Sequence, residues 1–188
     1  MPSLQDRNKI GVGLFILSEA TFFLLLIIAY VIFHALPGPG PTATTALNPR
    51  RTGLFSIALF SSSVTMWMAS RASRRPDSKG LRGWLALTIA LGVLFMAGQA
   101  QEYHDLLHHG VTMSRNLFAT TFFTLTGFHG LHVIGGLIAL SITLVLASSG
   151  KLHEHSKDGF GAVEWYWHFV DGVWVVVFSV VYLWDVVA

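Results

Sequence analysis

The chain has 188 residues, 53% of them hydrophobic and only 12% charged, with a formal net charge of +2. Soluble domains carry about 25% charged residues, so a wet surface all round is excluded, and so small a net charge leaves no electrostatic footprint for nucleic acid. There is no cysteine, which rules out disulfides, thiolate metal sites and iron–sulfur clusters.

Apolar stretches run over about 10–35, 53–70, 83–102, 117–147 and 162–187. Each has roughly 18 residues or more, enough at about 1.5 Å per residue to cross a hydrocarbon core of about 30 Å. The pattern predicts an all-α, polytopic transmembrane bundle of five helices forming a single membrane domain over residues 1–188. The first stretch is too long for the apolar region of a signal peptide and lacks a small-residue cleavage pattern, so it is expected to remain as a helix. The second carries Ser56 and Ser61-Ser62-Ser63, hydroxyls that suit a protein-facing side better than a lipid-facing one. The fourth is over-long and is expected to tilt or protrude. Within it Gly127, Gly130, Gly135 and Gly136 remove side-chain bulk where another helix can approach.

The connections differ in kind. Residues 36–49 are rich in Pro and Gly and are expected to be non-helical. Residues 71–82 are basic, 103–116 hold His104, His108 and His109, and 148–161 are polar with mixed charge. Counting Lys and Arg, nine fall on the side of the N-terminal arm and of loops 71–82 and 148–161. Three (Arg50, Arg51, Arg115) fall on the other side. The positive-inside rule then puts the N-terminus in the cytoplasm and the C-terminus outside. On the same reading Trp165 and Trp167 belong near the inner interface, with Tyr182 and Trp184 near the outer one.

The last stretch opens with Glu164-Trp165-Tyr166-Trp167-His168-Phe169-Val170-Asp171. Glu164, His168 and Asp171 stand at i, i+4 and i+7 and share one narrow helical face. A carboxylate at the centre of a membrane helix costs at least about 2.5–3.5 kcal/mol, so it is expected to face protein or water and to have a partner. Depth arithmetic supplies candidates. Glu19 lies roughly 12 Å, His168 roughly 9 Å and Asp171 roughly 13 Å from the inner ends of their helices. His132 falls roughly 15 Å in, with His129 a turn deeper. Glu19, His132, His168 and Asp171 are therefore expected to share a depth in the cytoplasmic half. Two roles stand open for them: interhelical hydrogen bonding, or proton and lipid handling.

The histidines admit other readings. His129 and His132 are one turn apart, as in a metal pair, but no third donor stands nearby in sequence, and no metal site is assigned. A bis-histidine haem would need His129 or His132 with His168 from a facing helix. His104 and His108 stand at i and i+4 with Asp105 beside them. There a solvated loop is expected, an outer-face metal site being the alternative.

The ordered motifs resemble a known family. Phe15-Ile16-Leu17-Ser18-Glu19-Ala20 with Phe22-Phe23, then Gly98-Gln99 and Glu102-Tyr103, then the run Phe122 to Gly136 containing Gly127-Phe128-His129-Gly130-Leu131-His132, and finally Tyr166-Trp167-His168-Phe169-Val170-Asp171 with Trp174 are similar to subunit III of the haem-copper terminal oxidases in its short five-helix form. The resemblance implies an accessory, non-redox subunit of a respiratory oxygen reductase, cytochrome c or quinol oxidase, in a prokaryotic plasma membrane. It implies no cofactor on this chain, haem and copper being carried by partner subunits. The implied partners are the catalytic subunit I, subunit II, possible small subunits, and phospholipid. It implies intramembrane polar positions at Glu19, His129, His132, His168 and Asp171, to which the shared helical face adds Glu164 in one polar cluster; Trp165, Trp167 and Glu102 are expected at interfaces or lipid. A helper of nitric oxide reductase and a haem-bearing membrane anchor are the rival expectations; a transporter is disfavoured by the lack of paired broken helices or repeats.

Overall fold

The computed structural model of the protein describes residues 4–34, 36, 40–74, 78–150 and 157–184. Its elements are α1 (Leu4–His34), α2 (Ala43–Ala46), α3 (Pro49–Ser73), α4 (Ser78–His108), α5 (Leu117–Ser148) and α6 (Lys157–Phe178), the last continued by a π-helical stretch, Ser179–Leu183. There is no strand among the described residues. The five long helices are each long and apolar enough to cross a membrane. Arg75, Lys151, parts of the 36–49 and 148–161 connections, and the 185–187 end of the last expected helix lie outside the described residues.

Local chemistry explains where the helices start and stop. Asn48 caps α3, its Oδ1 accepting from Arg51 N at 3.2 Å, and Pro49 occupies the first turn, where its missing N–H costs nothing. Asn116 caps α5, accepting from Ala119 N at 2.9 Å, while its Nδ2 donates to Pro41 O at 2.8 Å and ties the first connection to the third. Gly40, with φ +128°, lies close against that amide. At the end of α4, Val111 N donates to Leu106 O at 2.9 Å and Gly110 N to Leu107 O at 3.0 Å. Gly110 has φ +71°. Leu106 and Val111 are both buried. This is a Schellman stop sealed by its hydrophobic contact.

Two expectations about connections are corrected here. The stretch 36–49 contains the single turn α2, because Pro41 and Pro49 leave Ala43-Thr44-Thr45-Ala46 free to coil, and Thr42 and Thr45 cap each other reciprocally. The stretch 103–116 is helical as far as His108, six residues past the expected end of the apolar run. The fall in hydropathy after Glu102 marks where apolar composition ends, whereas the helix runs on to its glycine stop.

In the bundle α3 packs on α4, α4 on α5, α5 on α1, α1 on α6 and α6 on α3, with α5 and α6 also in contact across the middle. Lipid tails are as apolar as leucine, so helices in a membrane are held by close packing and interhelical hydrogen bonds more than by exclusion from water. Close packing surrounds Trp167, which is fully buried. A Cβ on Gly92 would lie 2.9 Å from its ring and one on Gly136 2.7 Å, so α4 and α5 approach α6 only because both positions are bare. Gly98 does the same for α3 and α4, where a Cβ would stand 2.2 Å from Phe55. Among the four glycines singled out in α5, Gly136 alone is this tight. Gly127, Gly130 and Gly135 would meet neighbours at 3.5–3.6 Å, an ordinary contact distance.

Mid-helix Gly→Ala normally stabilises a helix by about 1 kcal/mol. Here Gly136→Ala and Gly98→Ala are expected to lower the unfolding midpoint in detergent, whereas Gly83→Ala, which meets open space, should raise it. Trp167→Ala should cost roughly 3 kcal/mol through the cavity it leaves. Asn116→Ala should cost about 1 kcal/mol from the lost cap and make the first connection more open to proteolysis.

Candidate functional site

The polar residues inside the bundle fall into separate groups, each with its own partners. At the junction of α1 and α5, His132 Nε2 lies 3.0 Å from Glu19 Oε2, and His132 Nδ1 lies 2.7 Å from Phe128 O. A carbonyl can only accept, so Nδ1 carries hydrogen and donates to it. The Nε2–Oε2 contact therefore holds a proton on one atom or the other: an imidazolium facing a carboxylate, or an imidazole accepting from a carboxylic acid. The two side chains keep 17% and 23% of their surface open. Phe23 closes the interior side, its ring 4.8 Å from that of His132. Tyr166 Oη donates to His132 O at 3.1 Å, linking the pair to α6.

Along α6 the expected face is present and turned toward α3. Ser70 Oγ donates to Glu164 Oε2 at 2.8 Å. Ser63 Oγ donates to Asp171 Oδ2 and lies 3.1 Å from His168 Nδ1. With its one hydrogen committed to Asp171, Ser63 accepts from Nδ1–H, giving a chain His168→Ser63→Asp171. The indoles join the same seam: Trp167 Nε1 donates to Ser62 Oγ at 3.0 Å and Trp174 Nε1 to Ser56 Oγ at 2.8 Å. The serine-bearing side of the second membrane helix thus faces protein, partnering antiparallel α6 from end to end.

His129 is fully buried. Its ring stacks on Trp174 with centroids 4.8 Å apart and meets the edges of Phe95 and Phe23. Neither ring nitrogen has a protein hydrogen-bond partner. A haem held by His129 or His132 with His168 does not fit. Aromatic side chains fill the space around His129, and the second nitrogen of His132 is engaged by Glu19. Among the described residues, no three His, Cys, Asp or Glu side chains converge as metal ligands.

Near the other end of the bundle, Glu102 is buried and accepts from Thr52 Oγ1 at 2.8 Å and Tyr182 Oη at 2.6 Å. Tyr182 lies within the π-helical stretch, an irregularity that recurs at functional sites. Arg51 donates to Asp105 at 2.5 Å beside a cavity of about 390 Å³, which Glu102 and His109 also line.

Several placements differ from the sequence reading. Glu19, His132, His168 and Asp171 form two groups, and among the described residues no hydrogen bond or ion pair joins Glu19–His132 to the Ser63-linked pair. Trp167, expected at an interface, is enclosed by four helices because two glycines open a slot for it. Glu102, also expected at an interface or lipid, is enclosed as well, since Thr52 and Tyr182 satisfy its oxygens. Tyr182 is likewise buried, while Trp165 is half exposed. The Thr52–Glu102–Tyr182 group was missed; a Thr on the serine-bearing side of α3, opposite an intramembrane carboxylate, is the signal that was available.

Known proteins place the whole chain. The family model described as cytochrome c oxidase subunit III matches residues 2–186. Cytochrome c oxidase subunit 3 of a Synechocystis species is 42% identical over 180 residues, 95% of this chain and 76% of the relative. A probable cytochrome c oxidase subunit 3 of Mycobacterium tuberculosis is 38% identical over 96% of this chain and 90% of its own length. The ostrich (Struthio camelus) subunit is 36% identical over 97% and 72%. With that match over nearly the full length, and five helices long and apolar enough to cross a membrane, the chain belongs to the cytochrome c oxidase subunit III family.

Proposed function

We propose that this protein is the non-redox accessory subunit of an oxygen-reducing, proton-pumping respiratory complex in a prokaryotic plasma membrane. It forms a single membrane domain, with its N-terminus in the cytoplasm and its C-terminus outside. The whole-length family match carries this reading. The orientation rests on the nine-to-three distribution of basic residues. Relatives named as cytochrome c oxidase subunits support cytochrome c rather than quinol as the electron donor. Haem and copper then reside on the catalytic subunit I and on subunit II, against which this bundle packs.

Within the complex the polar groups divide the labour. Glu19 and His132 share a proton, are partly open and lie in the cytoplasmic half of the bundle under this orientation, so they serve proton uptake. Glu164, His168 and Asp171 are held by α3 serines and act chiefly in packing. Phospholipid binding has a place in the apolar groove of about 350 Å³ between α1 and α6, lined by Ala20, Phe23, Leu24, Phe169, Gly172 and Val176. The residues that line the groove are apolar, as acyl chains require.

Extraction in mild detergent should recover the chain with a large haem-bearing partner that consumes oxygen with reduced cytochrome c. A chain isolated alone, or with a nitric oxide reductase, would overturn the assignment. In intact complex, Glu19→Gln is expected to slow proton uptake several-fold with little loss of subunit content. Asp171→Asn and Ser63→Ala should do the reverse, costing about 0.6–2 kcal/mol of assembly stability while turnover per intact complex is unchanged. Subunit stoichiometry and stopped-flow proton uptake separate the two patterns.

A further inference from the structure

The last turn of α4 brings together residues that the family reading leaves unused. His104 and His108 are four apart, a spacing that has geometric meaning only in a helix, and α4 extends through both. Their ring centroids are 4.4 Å apart. Two imidazole nitrogens bound to one ion at about 2.0–2.1 Å stand about 3 Å from each other, a separation within reach of rings already this close. Asp105 Oδ1 lies 3.6 Å from His104 Nδ1, beyond a hydrogen bond but close enough to place a negative charge beside the imidazole pair. Asp105 is itself held by Arg51 through its other oxygen, so this charge is anchored to α3.

Two more features favour a cation at this point. The carbonyl end of a helix carries partial negative charge, strongest in its last turn. That turn is also rigidly closed by the Gly110 stop, with Leu106 and Val111 buried beneath it. His109 is turned elsewhere, its Nδ1 donating to Asp105 O at 2.7 Å, and it lines the neighbouring cavity. Among the described residues no third carboxylate, histidine or cysteine completes a closed cage, and the His104 side chain is 69% exposed. The chemistry is that of an open chelate: two imidazoles from the protein and the remaining positions filled by water.

We propose that His104 and His108 form a two-imidazole binding site for a divalent first-row transition ion, Cu²⁺ ahead of Ni²⁺ and Zn²⁺, at the Arg51 end of the bundle. The order follows from the general preference of nitrogen sites along that series. The bound ion cross-links the last turn of α4 and, through Asp105 and Arg51, stiffens the start of α3. The site does not depend on the oxidase assignment, since its two ligands lie on one helix of this chain.

The test is Cu²⁺ titration of the purified full-length chain in detergent, followed by electron paramagnetic resonance, with thermal unfolding in the presence and absence of Zn²⁺. One strong Cu²⁺ site with hyperfine splitting from two nitrogens is expected. His104→Asn or His108→Asn should weaken it at least tenfold and abolish the rise in unfolding midpoint that Zn²⁺ produces. His109→Asn should leave both signals intact. Both altered residues are exposed, so the metal-free unfolding midpoint should not move. Unchanged Cu²⁺ affinity in the His104→Asn/His108→Asn double variant would overturn the proposal, as would equal loss in His109→Asn.

Discussion

The bundle depends on one side chain seated in a slot. Trp167 projects from α6 between the bare backbones of Gly92 on α4 and Gly136 on α5, and its indole N–H reaches Ser62 on α3. A single residue thus sets the spacing of four helices in a solvent where apolar burial alone does not hold helices together. Once Trp167 is seated, the rotation of α6 is determined. Its neighbour Tyr166 turns to the backbone of His132 on α5, and His168 turns to Ser63 on α3. The functional groups on both sides therefore inherit their positions from a packing contact that carries no charge.

This explains why the polar residues do not form one cluster. The Glu19–His132 pair lies where α1, the least buried of the five long helices, rests on α5. Asp171 lies on the opposite flank of α6, enclosed by α3. Depth along a helix is one coordinate and rotation about it is another. The arithmetic of rise per residue addresses only the first, and the rotation is set by the Trp167 slot.

Much of the architecture was legible. Five apolar runs marked the membrane-length helices, the serines of α3 marked a protein-facing seam, and the four ordered motifs identified the family. Other features were not readable from composition. The end of α4 was placed early because Glu102-Tyr103-His104-Asp105 lowers the hydropathy, while the stop signal, Gly110, lay further on with its hydrophobic contact hidden in tertiary structure. Which glycines carry tight contacts depends on what faces them: Gly92 and Gly98 do, Gly130 and Gly135 do not. Of the partners of Glu102, Thr52 is hinted at by its place on the serine-bearing side of α3, whereas no local pattern announces Tyr182, which comes from a π-helical stretch.

The hydroxyl seam of α3 has a consequence for how the chain enters the bilayer. α3 is synthesised before α6, so the tryptophans and acids that meet its serines do not yet exist when it is inserted. Ser56 donates to Thr52 O, Ser62 to Leu59 O and Thr65 to Ser62 O, each within α3 itself. These internal bonds satisfy the hydroxyl hydrogens while leaving oxygen lone pairs outward, a pattern that lets a serine-rich segment be tolerated in hydrocarbon. When α6 arrives with its indole N–H groups, it finds acceptors already aligned. At Ser56 and Ser62 the order of synthesis and the direction of the hydrogen bonds agree, the helix made first waiting as acceptor for the indoles of the helix made last; at Ser63 and Ser70 the direction reverses, and α3 hydroxyls donate to the acids that α6 brings.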